Sequence, residues 1–305
     1  RTTFIESITK HSHRGRIHAE IHQMRSDQGG TVTGRFSYSN PNLQQIPARN
    51  AILGPLIRSI FIPEKDHEWG IFDYSQQEPR LVVHYASLRH FTGAGKFVDS
   101  YQEDETTDFH TMVSEMADIP RKQAKTINLG LFYGMGKGKL MSQLGVTLET
   151  ASELLASYNE RVPFVKQLMN DTMNKAGKKG YLSTLEGRRC RFDQWEPTNE
   201  WGQKSLPLAE AQQQYGEHMI KRAWTYKALN RLIQGSAADQ TKKAMLALAK
   251  EGYLAHIQVH DELDFSVASE KDKTRIKDIM ENCVELSVPS KVDVECGDNW
   301  GDAGD

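Results

Sequence analysis

The spacing of apolar and polar positions predicts strands at both ends of the chain and helices between them. Apolar and polar residues alternate in residues 15–36, which predicts short extended segments, the last of them at 31–33. Residues 41–63 hold four prolines, which is typical of loops and short strands. Residues 69–73 form an apolar run that predicts a strand, whereas residues 106–228 follow a mostly helical pattern. This order predicts an α+β chain in which a helical block is inserted into a sheet-based domain.

Caps and breakers delimit further elements. Ser75 and Glu78 form a capping-box pattern that would begin a helix ending near Arg89. Pro120 suits the first turn of another helix, which Gly134 ends. The other predicted elements are helices at 152–175, 230–250 and 271–286, a hairpin at 180–192 and a last strand at 291–296.

The segment 255–267 predicts a β-hairpin whose tip carries acidic residues. Its apolar residues alternate with polar ones, but Asp261 falls on the apolar register. A continuous strand would bury that carboxylate at a cost of several kcal/mol. A three-residue tip at 260–262, with Val259 paired to Leu263, would keep the apolar face whole and hold two adjacent acids at the sheet edge.

Asp73 is a second candidate, because it stands where a predicted strand ends and a helix begins. An aspartate at such a place, or in a turn, is usually structural. Together, however, Asp73 and Asp261 suit a two-metal site, since magnesium prefers a few carboxylates with waters and substrate phosphates. Two such ions can hold the attacking and the leaving oxygen of a phosphoryl transfer.

The helix that begins near Pro120 presents residues suited to a nucleotide. Arg121, Lys125, Leu129 and Tyr133 recur every four residues and therefore share one face. Two cations one turn apart can contact adjacent phosphates, and an aromatic ring can stack on a base. The same pattern also fits an amphipathic surface helix. The glycines that follow it have neither the P-loop nor the dinucleotide-binding spacing.

The distribution of charge changes the picture that composition gives. The chain has 305 residues, a net charge of −2 and a pI near 6.6, which on average argues against nucleic-acid binding. Residues 31–63 and 119–147, however, carry arginines and lysines and no acid. Such segregation can form a positive cleft or only solvated helix faces. Three scattered cysteines predict no disulfide framework, and no run of 18 apolar residues predicts a transmembrane helix.

Three segments taken together are similar to the polymerase motifs of family A DNA polymerases. They span residues 73–80, 121–134 and 258–262. Further matches occur in family order at 33–37, 41–47, 108–111, 234–239 and 297–300. The ordered set of motifs covers nearly the whole chain, and the chain therefore resembles this family along nearly its whole length.

The resemblance implies a palm domain built from an antiparallel sheet, residues 1–104 and 206–305, with an inserted, mostly helical fingers domain, residues 105–205. Thumb and exonuclease domains would be largely absent. The implied activity is template-directed addition of a dNTP to a primer 3′-hydroxyl with two Mg²⁺ ions and release of pyrophosphate. The implied partners are primer–template DNA, dNTPs and a missing region or separate subunit. The implied location is inside a bacterium, a phage-infected host or an organelle.

The resemblance also implies roles for individual residues. The metal ligands would be Asp73, Tyr74 and Asp261, with Glu262 beside them, and Lys125 could protonate the pyrophosphate. The dNTP-binding residues would be Arg121, Lys125, Leu129, Tyr133, His110, Glu78 and Gln76. The DNA-binding residues would be Arg35, Asn42, Gln44, Asn230, Gln234 and His260.

Some features depart from the family pattern and leave alternatives open. Leu129 stands where the family usually has Phe or Tyr, and Pro79 replaces a usual aliphatic residue. Residues 193–216 form an expected surface insertion. Without a thumb, the chain could instead be a catalytically weak or inactive DNA-binding fragment. An RNA polymerase or reverse transcriptase sharing the palm chemistry is a further alternative, against which Glu78 argues.

Overall fold

The computed structural model describes residues 5–25, 29–47, 50–199 and 202–304, which form two compact units. Unit 1 comprises Arg1–Gln77 and Ala237–Asp305, and unit 2 comprises Glu78–Ser236. The boundaries between the units fall at 77/78 and 236/237. The expected fingers boundaries, 104/105 and 205/206, stay predictions. The names palm and fingers for these units stay predictions.

The described strands are short except for three of the four that form the main sheet of unit 1. They are β1 (Ser12–His13), β2 (Arg16–Ile17), β3 (Glu20–His22), β4 (Ser37–Ser39), β5 (Glu68–Tyr74), β6 (Tyr181–Ser183), β7 (Arg189–Arg191), β8 (Gln194–Pro197), β9 (Leu206–Pro207), β10 (Ile220–Arg222), β11 (Ile257–Val259), β12 (Glu262–Val267) and β13 (Val292–Gly297). The predicted strand at 31–33 is wrong, because those residues lie in a turn.

The described helices confirm the helical middle of the chain. They are α1 (Ser7–Thr9), α2 (Leu53–Arg58), α3 (Gln77–Ser87), α4 (Ala94–Glu103), α5 (Phe109–Ala117), α6 (Arg121–Phe132), α7 (Lys137–Leu144), α8 (Leu148–Arg161), α9 (Pro163–Lys179), α10 (Leu208–Tyr215), α11 (Ala228–Lys250), α12 (Glu270–Asn282) and α13 (Trp300–Ala303). In the part of the chain that the structure describes, no helix is long and apolar enough to cross a bilayer.

Two of the predicted helix boundaries are wrong for identifiable reasons. The pattern at 152–175 is two helices, α8 and α9, because Pro163 cannot lie in a helix interior and instead occupies the first position of α9. Ser75 is not a helix cap: α3 begins at Gln77, and the Ser75 hydroxyl hydrogen-bonds the Asp293 carboxylate.

Unit 1 is built on an antiparallel sheet with strand order β11-β12-β5-β13. One face packs Phe72, Leu263 and Phe265 against residues of α11 and α12. The other face packs Trp69 and Ile257 into a second cluster with residues from the chain's beginning and end. Because both faces are buried, the central strand β5 reads as a continuous apolar run.

The register of the β11–β12 hairpin corrects the sequence prediction. Val259 pairs with Glu262 rather than Leu263, so the tip has two residues, His260 and Asp261. His260 accommodates the tight turn with a φ of 59°. The shift by one residue sends the apolar side chains of β11 and β12 to opposite faces. It also places Asp264 opposite Ile257.

Unit 2 is mostly helical, with an aromatic core. Phe97 of α4, Phe109 of α5, Phe132 of α6 and Phe164 of α9 are fully buried, and their ring centroids lie 5.0–6.4 Å apart where they touch. The predicted hairpin at 180–192 is confirmed as β6–β7. The expected surface insertion, residues 193–216, contains β8, β9 and α10, and β10 after it completes the small sheet β10-β8-β9. Residues 200 and 201 of the insertion lie outside the described part.

Candidate active site

In unit 1, carboxylates surround the end of the central strand β5. Asp73 pairs with Glu262 on β12 and with Asp293 on β13, so acids flank it on both sides. Asp261 is adjacent, since its backbone carbonyl accepts a hydrogen bond from the Tyr74 N–H at 3.4 Å. The sheet therefore brings together the two aspartates that the sequence analysis selected from positions 188 residues apart.

Burial and mutual repulsion disfavour ionisation of this group. Burial, followed by the charges of Asp261 and Glu262, raises the pKa of Asp73 to about 8. Burial also raises the pKa of Asp261, against the opposing charge of Arg35. It raises the pKa of Glu262 likewise, against the opposing charge of Arg58. Removing water from like charges in this way is typical of functional sites.

These residues fit divalent magnesium. The Asp73 Oδ1 atom is buried and has no hydrogen-bond partner in the described structure, and a cation would supply the missing interaction. Across residues 5–25, 29–47, 50–199 and 202–304, no three His, Cys, Asp or Glu side chains are arranged to hold a metal by themselves. Magnesium does not require such a cage, because waters and substrate phosphates complete its octahedron.

The side chain of Tyr74 is directed away from the carboxylates. Its hydroxyl is buried and donates to the Met280 carbonyl at 2.7 Å. Only the backbone carbonyl of Tyr74 could therefore act as a metal ligand.

Side chains beside the hairpin tip hold it in place. Gln258 donates to the His260 carbonyl at 2.6 Å, and the Gln44 amide nitrogen donates to the Gln258 side chain at 3.1 Å. Asn42 caps the 3₁₀ turn at Leu43–Gln45 by accepting from the Gln44 N–H. Gln44 and Asn42, expected to bind DNA, thus support the tip, and His260 itself is exposed.

In unit 2, the exposed face of α6 carries the expected cations. Arg121 binds both oxygens of Asp108, through Nη2 at 2.8 Å and Nε at 3.1 Å. Asp108 also caps α5 by accepting from the Thr111 N–H at 2.7 Å. Burial raises the pKa of Asp108, but these hydrogen bonds outweigh burial and lower the pKa to about 2. This carboxylate is therefore ionised at neutral pH.

His110 lies near both cations of α6. Burial lowers the pKa of His110 to about 4; Asp108 opposes this, and the charges of Lys125 and Arg121 add to it. The ring is therefore neutral at physiological pH and can donate only one ring N–H. Two cations and a neutral donor form a cluster suited to a polyphosphate.

Further along α6, the predicted face is confirmed. Tyr133 is 42% exposed, and its hydroxyl donates to Glu78 at 3.0 Å. Leu129 is half-buried one turn earlier. The hydrogen bond joins two of the residues that were expected to bind the dNTP.

The remaining expected residues lie on two different elements. Asn230 and Gln234 are half-buried and one turn apart near the start of α11, so they share a face. Gln76 has a left-handed backbone, with a φ of 52°, between β5 and α3. Arg35 acts electrostatically on Asp261.

Several polar residues at these sites escaped the sequence analysis. Asp264 is fully buried on β12, and Asn128 and Tyr158 are fully buried behind His110. A signal for Asn128 was present: it lies on the α6 stripe with Ala124, Ile127 and Leu131 at helical spacing, so burial could be predicted.

Comparisons with known proteins agree on one family. The sequence model of DNA polymerase family A matches residues 1–302. A DNA-directed DNA polymerase of Pseudomonas phage M6 is 38% identical, over 99% of this chain and 49% of its own length. DNA polymerase I of Bacillus subtilis (strain 168) is 35% identical, over 99% of this chain and 33% of its own length.

A solved structure gives the same result for the fold. The POL domain of Pol1 from M. smegmatis, in complex with DNA primer-template and dNTP, superposes with a TM-score of 0.79 at 29% identity. The match covers 99% of this chain and 51% of that one. The chain thus spans between a third and a half of the length of these relatives.

Proposed function

The chain belongs to DNA polymerase family A, and on that premise we propose that it is a template-directed DNA polymerase. The primer 3′-hydroxyl would lose its proton to water, and its oxygen would form a bond to the α-phosphorus of a dNTP. The bond between that phosphorus and the bridging oxygen would break, and pyrophosphate would leave with the electron pair. The incoming dNTP would be selected by its pairing with the template base, so the protein itself would not need to recognise the DNA sequence.

The observation that carries the proposal is the carboxylate group at the end of β5. Asp73 pairs with Glu262 across the sheet and lies beside Asp261. Burial and these two neighbours raise the pKa of Asp73 to about 8. Asp73 and Asp261 would hold two Mg²⁺ ions, with the Tyr74 carbonyl as a further ligand. When bound, the ions would activate the primer hydroxyl and stabilise the leaving pyrophosphate.

Side chains of unit 2 would bind the triphosphate. Arg121 and Lys125 would contact its phosphates, and His110 would donate a hydrogen bond to them. Arg121 already binds Asp108 bidentately, so the incoming phosphates would compete with that carboxylate. Lys125 would give a proton to the departing pyrophosphate.

Other side chains would select the nucleotide and hold the DNA. Glu78 would exclude a 2′-hydroxyl, and its hydrogen bond from Tyr133 supports this by fixing the carboxylate. Leu129 and Gln76 would complete the nucleotide site. The primer, template and minor groove would be contacted by Arg35, Asn42, Gln44, Asn230, Gln234 and His260.

Relatives from bacteria and a phage support an intracellular setting for this activity, in a bacterium or a phage-infected host. A further region, in the same chain or in a separate subunit, would grip the duplex.

Primer extension with Mg²⁺ tests the proposal. The chain is compared with Asp73→Asn and Asp261→Asn, which keep the side-chain shape but remove the charge. Asp272→Asn on α12 is the matched control, because Asp272 belongs to a capping contact with Ser269. We expect extension by the unmodified chain and the control, and loss of at least 100-fold in both site variants, as for removal of a key electrostatic group. Equal rates in all four would contradict the proposal.

The same assay tests a second function, in which the chain binds primer–template without extending it. Binding with no extension by the unmodified chain would support that alternative. Parallel reactions with rNTPs and with an RNA template separate a DNA polymerase from an RNA polymerase or reverse transcriptase.

A further inference from the structure

Three buried side chains from three helices form a hydrogen-bonded row behind the cations of α6. The Tyr158 hydroxyl of α8 lies 2.5 Å from Oδ1 of Asn128 on α6. The Nδ2 atom of Asn128 lies 2.8 Å from Nδ1 of His110 on α5. His110 is 6% exposed, and the other two residues are fully buried. Burial shields these groups from water, so the atoms that meet along the row have to be matched as donor and acceptor.

The direction of donation along the row has two conceivable forms. In one, Tyr158 donates to the amide oxygen of Asn128, whose NH₂ donates to Nδ1 of His110. In the other, the amide is reversed, its NH₂ donates to Tyr158, and Nδ1 of His110 carries a proton. An amide's orientation and a histidine's tautomer have to be decided from such networks.

In the first form each of the two contacts joins a donor to an acceptor and the Tyr158 hydrogen is used, whereas in the second that hydrogen is not used. In the reversed form the hydrogen of the fully buried Tyr158 hydroxyl would need another acceptor, and Asn128 is the partner that the described structure provides. The 2.5 Å separation also suits an O–H···O bond better than an N–H···O bond. An orphaned buried hydroxyl would cost about 1–3 kcal/mol, which selects the first form.

The selected form determines which nitrogen of His110 carries its proton. Because Nδ1 accepts from Asn128, the single hydrogen of a neutral ring must reside on Nε2. We propose that Asn128 and Tyr158 are positioning residues that hold His110 in the Nε2–H tautomer, so that its free ring nitrogen is a donor for the phosphates of a bound nucleotide. The identity of the ligand rests on the proposed function, whereas the assignment of the tautomer does not.

The surroundings of His110 explain why a fixed tautomer is needed. Burial lowers the pKa of His110 to about 4, so the ring is neutral and has one donor rather than the two of an imidazolium. A neutral ring in the other tautomer would present a lone pair at Nε2, which repels phosphate oxygens. Asn128 and Tyr158 remove that possibility before the ligand arrives, and thus lower the cost of binding.

Nitrogen-15 NMR of the histidine-labelled chain, without ligand, tests the tautomer directly. The ring signals of His110 are identified by their loss in His110→Ala. We expect Nε2 protonated and Nδ1 unprotonated in the unmodified chain, and a mixture of tautomers in Tyr158→Phe, which removes the hydroxyl that orients the amide. An Nδ1-protonated ring in the unmodified chain, or an unchanged tautomer in a folded Tyr158→Phe, would overturn the proposal.

Tyr101→Phe is the matched control. Tyr101 is also a fully buried tyrosine of unit 2, but its hydroxyl has no hydrogen-bond partner in the described structure. Removing it should leave the His110 spectrum unchanged, which separates loss of the Tyr158 hydrogen bond from loss of any buried hydroxyl. A change of tautomer in Tyr101→Phe equal to that in Tyr158→Phe would contradict the assignment.

Steady-state extension gives a second, independent readout. If only a fraction of the protein holds the competent tautomer, apparent nucleotide affinity falls by that fraction. We expect Tyr158→Phe to raise the KM for the dNTP about three- to tenfold with little change in kcat. In a His110→Ala background the same substitution should change KM no further. A full additional effect in that background would assign Tyr158 a purely structural role. Absence of extension by the unmodified chain would defeat the proposed function, while the NMR result would still decide the tautomer.

Discussion

At the residue scale, Asp264 has the most unusual environment of the carboxylates in unit 1. It is fully buried on the face of β12 that packs against Ile257 and Trp69, next to Glu262 on the same side of the strand. The Arg58 charge and the Trp69 indole N–H favour its ionised form, but they oppose larger effects. As a carboxylic acid it can donate to Glu262, and burial, then the Glu262 charge, raises its pKa well above the usual range. Burial thus favours the protonated form of Asp264 in the folded chain.

This protonation predicts a pH dependence of stability. The folded chain retains a proton on Asp264 that the unfolded chain loses above pH of about 4, so the free energy of unfolding falls as the pH rises above that value. Each retained proton costs up to about 1.4 kcal/mol per pH unit. We expect Asp264→Asn, which cannot ionise, to reduce this slope between pH 5 and 8 by up to one proton. The remaining slope comes from the other raised carboxyls, chiefly Asp73 and Asp261.

Urea unfolding at several pH values, in buffer without divalent metal, measures this slope. Asp272→Asn is the control, because hydrogen bonds from Ser269 and Tyr253 lower the pKa of Asp272. The contribution of Asp272 to stability is lost only as the pH falls through that lowered pKa. The slope between pH 5 and 8 should therefore be the same in Asp272→Asn as in the unmodified chain. An equal slope in Asp264→Asn and the unmodified chain would show that Asp264 is ionised in the fold.

Leu129 predicts how the chain treats modified sugars. It lies half-buried between Lys125 and Tyr133 on the exposed face of α6, where it offers no hydrogen-bonding group. We expect Leu129→Tyr, which adds a hydroxyl, to change the ratio of kcat/KM for a dideoxynucleotide to that for the normal dNTP. Single-nucleotide incorporation by both proteins measures that ratio, and identical ratios would contradict a role for position 129 near the sugar.

At the scale of elements, Asp108 joins the beginnings of two helices. It caps α5 and binds Arg121 in the first turn of α6. Replacing a capping aspartate by alanine typically costs about 1 kcal/mol, while asparagine caps equally well. We expect Asp108→Ala to lower the free energy of unfolding by about 1–2 kcal/mol and Asp108→Asn by less than half as much.

Urea unfolding at neutral pH measures both variants. The partly exposed ion pair with Arg121 should add little, because water screens it. Equal losses in the alanine and asparagine variants would show that the ion pair, not the cap, provides the stability.

At the scale of the whole molecule, net charge conceals local charge. The chain carries −2 overall, yet DNA would have to bind through its segregated basic surfaces. We expect primer–template affinity to fall steeply between 50 and 200 mM NaCl, through release of counterions from the phosphates. Arg35→Ala should reduce the slope of log K against log salt by about one.

Fluorescence anisotropy of labelled primer–template measures the slope. Arg275→Ala is the control, because Arg275 lies on α12 in ion pairs with Glu251 and Asp278. A salt-independent affinity would exclude phosphate contacts as the main source of binding. An equal reduction of the slope in both variants would contradict a specific contact between Arg35 and a DNA phosphate.

Local patterns predicted much of the fold and of the site. The helical middle, the strand before Asp73, the hairpin with Asp261 at its tip and the exposed face of α6 could all be predicted, because each depends on periodicity or on a breaker within one segment. The hairpin register could not be predicted, since one residue more or less in the tip gives two equally regular patterns. Asp264 and Tyr158 were missed because the segments that bury them lie elsewhere in the chain.

The sequence by itself determined which segments are helix or strand, which residues are charged, and which motifs occur in which order. Only the tertiary structure decided that Asp73 has Glu262 and Asp293 as its neighbours, and that Asn128 and Tyr158 stand behind His110. The physical reason is the range of the interactions. Helix and strand formation depend on neighbours a few residues apart, whereas burial, pKa shifts and hydrogen-bond direction depend on groups that meet only when distant segments pack together.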